Sequence, residues 1–356
     1  MNNNARELNR QLQDMTYGGK LMLPIGEYTI EEPIVVDTPC IKIEGDVWNY
    51  PSDPNGVFES PYGTKLKLYK NDIPAFSIGD QHVLGGNVIK DIGIQGNIVG
   101  MDTRGLFDYE NPSASAGLCF AGTRVDQGEF SKLSMCGLAS GICVTGNASI
   151  DGCTFKQLNT DGCCVGFYFS PQASYYPMFR NCIAADTPYY GFFVNGENRI
   201  LHHLEISDTN FVRNGGAFPE DNPYPKAAVC FYKVSNCAVK NCTFDRAGTF
   251  WYFSPDATKN EERQSSKQPT PALYIKGNKN QIVGNSFSRC VSDAIVIHGD
   301  HNVIMNNIVD KNIVVRGSRN IFINNVFTRD DARIIISEHS YDNEFINISD
   351  DRIVKL

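Results

Sequence analysis

The stretch Asn278–Asn307 reads NKNQIVGNSFSRCVSDAIVIHGDHNVIMNN, and its second half repeats the phrase of the first. Asn285 and Asn307 stand 22 residues apart, and each leads into a short apolar strand. The phrase continues with Asn325, 18 residues later in RNIFINNVF, and Asn347, a further 22 later in NEFINIS. Short β-branched or apolar runs broken by Gly, Asn, Asp and Ser carry strand-and-turn punctuation and no helical period. A period of this length predicts a chain wound repeatedly on itself, adding layers to one continuous core.

A register extends the coil upstream. One strand ends in x-Gly-[Asn/Asp/Ser], at Asn147, Asn278, Asp300 and Ser318. A second ends at a position held by Cys153, Cys182, Cys242, Asn285, Asn307, Asn325 and Asn347, with Thr209 between Cys182 and Cys242. Stacked coils lie about 4.8 Å apart, so identical Asn side chains can hydrogen-bond along the stack. Cys, small and usually buried, fits the same slot. Upstream, Ala5, Leu8, Leu12 and Met15 share one helical face. Residues 4–15 therefore read as an amphipathic helix capping the first coil, which would otherwise expose core and strand edges.

At 356 residues, length alone would suggest two or three domains; the repeat replaces that with one domain over residues 1–356. The chain is 42% hydrophobic and 20% charged, with net charge -8 and pI near 5.3. That balance argues against nucleic-acid partners, which need clustered cations. No apolar run is long enough for a membrane span. MNNNARELNRQLQDM has no basic-then-apolar leader, so a cytoplasmic location is expected, or a secreted one if a leader has been removed. Twelve cysteines without a leader suggest free thiols. The adjacent Cys163-Cys164 and the C-x4-C of Cys237 and Cys242 lack zinc-type spacing, so neither metal nor cofactor is expected.

The phrase LPIGEYTI, followed by PIVV and IKIEGD within residues 18–46, resembles the opening coils of right-handed parallel β-helix proteins of the pectin-lyase-like superfamily. With the ladder, the resemblance spans nearly the whole chain. It implies an all-β right-handed parallel β-helix (a solenoid) with an N-terminal capping helix. It leaves function open, because that superfamily includes lyases, glycosidases, epimerases and viral tailspikes.

Insertions into a solenoid cluster on its binding face. Three occur at one point of the coil, at residues 100–115, 213–226 and 245–270, and should emerge along one edge; a fourth, at 47–63, is also aromatic. They carry Phe107, Tyr109, Phe218, Tyr224, Trp251 and Tyr252, rings suited to the C–H faces of sugars or to packing on the coil beneath. On the strand they flank, alternation places Ile295 and Ile297 inside and Val296 and His298 outside. Carried from coil to coil, one outward row becomes Tyr168, Phe193, Phe231, Tyr274 and Val296. The next becomes Ser170, Asn195, Lys233, Lys276, His298 and Arg316. An aromatic row beside a cationic row could hold a saccharide, including one bearing carboxylates; the alternative is a solvated strand face whose charges discourage edge pairing.

Acids collect just before the same strand, among them Asp161 and Asp293, with Asp245 opening the longest insertion. Glycosidic cleavage uses two carboxyls, about 5–5.5 Å apart for retention and about 6.5–9.5 Å for inversion. Neighbouring or alternate coils could supply both separations, although Asp is also a preferred turn residue. The phrase NTDG at 159–162 resembles the one that carries a catalytic aspartate in polygalacturonases, which implies an active-site role for Asp161. The chain departs from that family: CCV precedes GFYF, ADTPYYG stands where a paired Asp-Asp belongs, and no Gly-His-Gly follows. The kinship is therefore of fold. A looser similarity, to the β-helical fructotransferases that act on inulin, implies a homotrimer with sites at subunit boundaries.

Three functions remain. The first is a glycoside hydrolase or intramolecular glycosyl (fructosyl) transferase acting on an oligosaccharide or polysaccharide. Asp161, Asp245 and Asp293 would be its catalytic carboxyls, with Tyr168, Lys233, Tyr274, Lys276, His298 and Trp251 binding the sugar. The second is a lyase or epimerase on uronates, with Lys, His or Arg as base and the Lys233–Lys276–His298 row as the favouring feature. The third is a non-catalytic, tailspike-like glycan-binding module.

Overall fold

The computed structural model describes residues 4–46, 63–97, 103–197, 199–252, 262–265 and 269–356. Its strands stack in parallel, coil on coil. Each turn of the coil contributes one strand to a 12-stranded flat face and, in most coils, two strands to a 20-stranded bent wall; five middle coils add a short third strip. The bend in the wall is made by single residues in the left-handed region, such as Asn181, Asn241, Asn306 and Asn324. That conformation turns the chain in one residue, and Asn tolerates it. Inside, aromatic rings from successive coils stack, as in Phe130–Phe155–Phe179 with centroids 5.2 and 4.4 Å apart.

The Asn ladder is real, and it is double. Asn285, Asn307 and Asn325 line the inside of the bend, and each amide passes a hydrogen bond to the next, at 3.0 and 2.9 Å. A second column, Asn280–Asn302–Asn320–Asn343, runs where the chain enters the wall. Thr209 and Cys182 occupy the first column as expected, the Thr209 hydroxyl accepting from Cys182 N–H at 3.3 Å. Two placements are corrected. Cys153 stands directly before the wall strand Thr154–Asp161, in register with the second column. Asn347 takes the left-handed bend position, outside the ladder, and donates to Asn324 Oδ1 at 2.7 Å.

The capping helix spans Ala5–Gln13, with the Asn4 side chain accepting from Glu7 N–H and Ala5, Leu8 and Leu12 buried. Asn9 ties the helix to the flat face. Its amide donates to Pro33 O at 2.9 Å and accepts from Val35 N–H at 2.8 Å, covering the edge strand Ile34–Val36. Every cysteine is a free thiol, and all but Cys40 are buried, so they fill core slots. No helix among the described residues is long and apolar enough to cross a membrane.

Candidate functional site

The insertions at 100–115, 213–226 and 245–270 each leave a wall strand and enter a flat-face strand, so they share one edge. Residues 100–102, 253–261 and 266–268 of these insertions, nearly all of 47–63 and the Trp251 side chain lie outside the described residues. The backbone of Trp251 belongs to a hairpin, Thr249–Tyr252 paired with Glu262–Ser265.

Two insertions fold down onto the flat face and build a second apolar core outside the coil. Phe107 meets Tyr109 and Tyr168, each at 5.1 Å; Tyr224 packs 4.8 Å from Phe193; Phe218 stacks on Tyr189 at 5.6 Å. The polar tips are satisfied within the cap: Tyr109 Oη donates to Asn222, whose amide donates to Tyr190 Oη, which donates to Pro225 O. Strands Ala116–Phe120 through Phe192–Asn195 are thus buried on both faces, whereas Leu273–Lys276 and Ile295–His298 alternate. Tyr168 is only 5% exposed. It cannot offer a face to a substrate while the cap is in place, which corrects its assignment as a sugar platform.

The register corrects two more residues. Tyr168 pairs with Phe193, then Cys230, Tyr274, Val296 and Val314. Cys230, not Phe231, is therefore in the outward row, and Phe231 is fully buried in the coil. The next row is Asn195, Tyr232, Lys276 and His298, with Arg316 after it. Lys233 lies past the end of this row. Its coil carries one extra residue between strand and ladder, which a left-handed φ of 55° at Lys233 absorbs, and its ammonium ion-pairs with Glu197. Tyr232 was missed for this reason; counting back from Cys237 as from Asn280 lands one residue late.

Beyond the cap, the outward side chains of the flat face are partly exposed among the described residues and form one neighbourhood. Lys276 Nζ sits 5.2 Å from the Tyr232 ring centre, the Tyr274 ring is 5.2 Å from His298, and Arg316 Nη1 lies 3.3 Å from His298 Nε2. Burial, reinforced by the charges of Arg316 and Lys276, lowers the His298 pKa, so the imidazole is neutral near pH 7 and accepts from Arg316. At the start of the same strand, half-buried Asp293 accepts from Asn312 Nδ2 at 3.3 Å. Asn312 is held in that orientation because its oxygen accepts from Arg333 N–H. Burial raises the Asp293 pKa, with the Asn312 hydrogen bond and the Arg316 charge opposing. A carboxyl whose pKa is raised by burial is better suited to proton donation than a free one.

The other two acids belong elsewhere. Asp161 and Asp245 share an outward wall row with Ala185 and Val212 between them. Three strand spacings, about 14 Å, separate them, beyond the range for a glycosidase pair. Asp245 also accepts from Arg289 through both oxygens, at 2.8 and 2.6 Å, and from Ser288 Oγ at 2.9 Å. Both of its oxygens are engaged in fastening one coil to the next. Asp293 lies one coil beyond Asp245, on the flat-face side of the turn. Asp161 and Asp245 therefore do not form a pair.

Among the described residues no group of three or more His, Cys, Asp or Glu could hold a metal. The His298 shift itself predicts pH-dependent stability. A depressed imidazole pKa stabilises the fold fully above the ordinary value of 6.5, and that contribution is lost as pH falls toward the folded value. The expected result is a melting temperature that falls from pH 7 to pH 5, with a measurably shallower fall in His298→Gln by thermal denaturation.

A sequence search among curated proteins finds no match. Among solved structures, the DFA-IIIase of Arthrobacter chlorophenolicus A6 in complex with GF2 superposes with TM-score 0.69 at 13% identity, covering 99% of this chain and 93% of that one. Its C387A mutant in complex with DFA-III gives TM-score 0.66 at 12% identity, covering 99% and 94%. ORF18 of Geobacillus virus E2 gives TM-score 0.53 at 15% identity, covering 96% of this chain but 61% of that protein. Identities this low show shared architecture. The family model described as "right handed beta helix region" matches residues 140–327, just over half of the chain. The chain belongs to the right-handed β-helix family.

Proposed function

We propose that the protein is a carbohydrate-active enzyme that cleaves or rearranges glycosidic bonds of an oligosaccharide on the open part of the flat face. The observation that carries the reading is Asp293, a half-buried carboxyl whose pKa burial raises, placed two residues before the strand that carries His298 and near enough to Arg316 to feel its charge. In this reading Asp293 protonates the leaving glycosidic oxygen as the C–O bond breaks, and water, or a hydroxyl of the same oligosaccharide in a rearrangement, bonds to the anomeric carbon and gives up its proton. Tyr274 and Tyr232 offer ring faces to the sugar, and Lys276, His298 and Arg316 hold its oxygens. The DFA-IIIase complexes with GF2 and DFA-III support a saccharide ligand on this architecture. Asp161 and Asp245 drop out of the mechanism on the geometry above.

One observation favours a second reading, a lyase or epimerase on uronates. Neutral His298 stands between two cations, Lys276 and Arg316, the arrangement in which a base removes a proton beside a neutralised carboxylate. The two readings separate on products. Incubation with GF2, DFA-III, inulin and oligogalacturonides should release reducing ends or rearranged sugars without ultraviolet absorbance; an unsaturated, absorbing product would replace the first reading with the second. Glycan binding with no product at high protein concentration would overturn both. Lys276→Gln should raise KM about tenfold with little change in kcat, as expected for a group that binds ground and transition states alike.

A further inference from the structure

On the opposite side of the coil, where the short strip meets the bent wall, four rings form an exposed patch. Tyr176 stacks on His203 with centroids 4.8 Å apart and planes within 3°, and Tyr175 stacks on His202 at 5.5 Å. Tyr176 is 59% exposed. Both Tyr176 and His203 sit in the left-handed region, φ 54° and 56°, in a row whose neighbouring coils place Gly152 and Asn236 there. Gly and Asn take this conformation readily and bulky side chains do not. The same bend row carries other long side chains in this conformation, among them Gln127, Lys279 and His301, so what distinguishes these two coils is that their side chains are rings stacked on one another.

The column is also interrupted. Stacked rings on successive coils face along the coil axis, so the second face of Tyr176 looks over Gly152, which has no side chain. Beyond it, in the next coil, stands Gln127, the only side chain a Cβ at Gly152 would approach, at 3.7 Å from its Cγ. The backbones of Gln127 and Tyr176 are two coils apart, about 9.6 Å, with only a glycine between them. Flanking this gap are Asp151 and Arg124, paired at 2.8 Å. At the far end, His203 borders a depression of about 230 Å³ lined by Glu205, Lys240, Lys279 and Gln281.

We infer that this strip is a second, non-catalytic carbohydrate-binding site, in which a sugar ring fills the gap over Gly152 and stacks on Tyr176. The occupant must have a flat apolar face and a rim of hydroxyls, for the Tyr176 ring, the Gln127 amide and the Asp151 carboxylate. A nucleobase also stacks, but the net charge of -8 disfavours a polyphosphate chain. The depression beyond His203 extends the strip over several coils, so the ligand is a polysaccharide chain. The class of ring rests on the carbohydrate reading above; the gap itself does not.

The test is affinity electrophoresis of the full chain in native gels containing inulin, polygalacturonate, arabinoxylan or β-glucan. At least one polymer should retard the wild type. Gly152→Asn fills the gap, and Tyr176→Asn removes the platform; both put Asn at a position where Asn236 shows it is accepted. Each should weaken retardation at least tenfold while melting temperature and turnover of GF2 stay unchanged. Retardation by none of the four polymers, or equal retardation of both variants and wild type, would overturn the inference. So would equal loss of retardation in Tyr274→Ala, which would assign the binding to the flat face. Because retardation needs no turnover, failure of the catalytic reading would leave this result interpretable.

Discussion

Replacing Asp293 by Asn is expected to lower kcat by about 10²–10⁴-fold, the usual contribution of a positioned general acid. The substitution keeps the shape and the acceptor oxygen for Asn312 but removes the proton that the leaving oxygen needs. Two further readouts distinguish this from simple disruption. The raised pKa means that activity should fall as pH rises through the folded value, and this alkaline limb should vanish in the variant. The same shift sets the sign for stability. A carboxyl whose folded pKa is raised favours the fold fully only below its ordinary value of 3.8, and that advantage is lost as pH rises through the folded value. Asp293→Asn should therefore melt at or above wild type at pH 7, with the gap closing toward pH 4. Undiminished turnover in Asp293→Asn would remove Asp293 from the chemistry.

Asn307→Ala is expected to destabilise the protein by about 4 kcal/mol, measured as a lowered urea midpoint. The Asn307 side chain is fully buried, accepts from Asn285 N–H and Nδ2, and donates to Ile282 O and Asn325 Oδ1. Alanine leaves these four partners in a space that admits no replacement, and each buried unsatisfied group costs about 1–3 kcal/mol. Relaxation along the column recovers part of the sum. Asn347→Ala is the internal comparison. It is the same residue type, but exposed at the bend, with one bond to Asn324, and its loss should cost about 0.5 kcal/mol. Equal effects from the two would contradict the assignment of the ladder to the interior.

The ladder also marks how far local pattern carries. Asn285, Asn307 and Asn325 were readable because each coil must place one small hydrogen-bonding side chain at the same bend, so chemistry repeats at the period of the fold. Asn347 misled because Asn serves two neighbouring positions, the interior ladder and the left-handed bend, for different reasons. His298, Lys276 and Tyr274 were placed outward by alternation alone, and their rows hold. Lys233 failed where a single extra residue shifted the count, an event that leaves no mark in composition.

The amino-acid order was sufficient for the coil, the capping helix and the edge from which the insertions leave, since these depend on periodicity and on apolar residues that must face inward. It could not say where the insertions would lie down. Their aromatic residues are as compatible with an open sugar platform as with a lid, and only long-range packing decided that Phe107, Tyr109, Phe218 and Tyr224 close over Tyr168 and Phe193. Nor could it distinguish Asp245 from Asp293. Both precede the same face, but Arg289 engages both oxygens of the first while burial raises the pKa of the second, and proximity in space, not spacing along the chain, makes that difference.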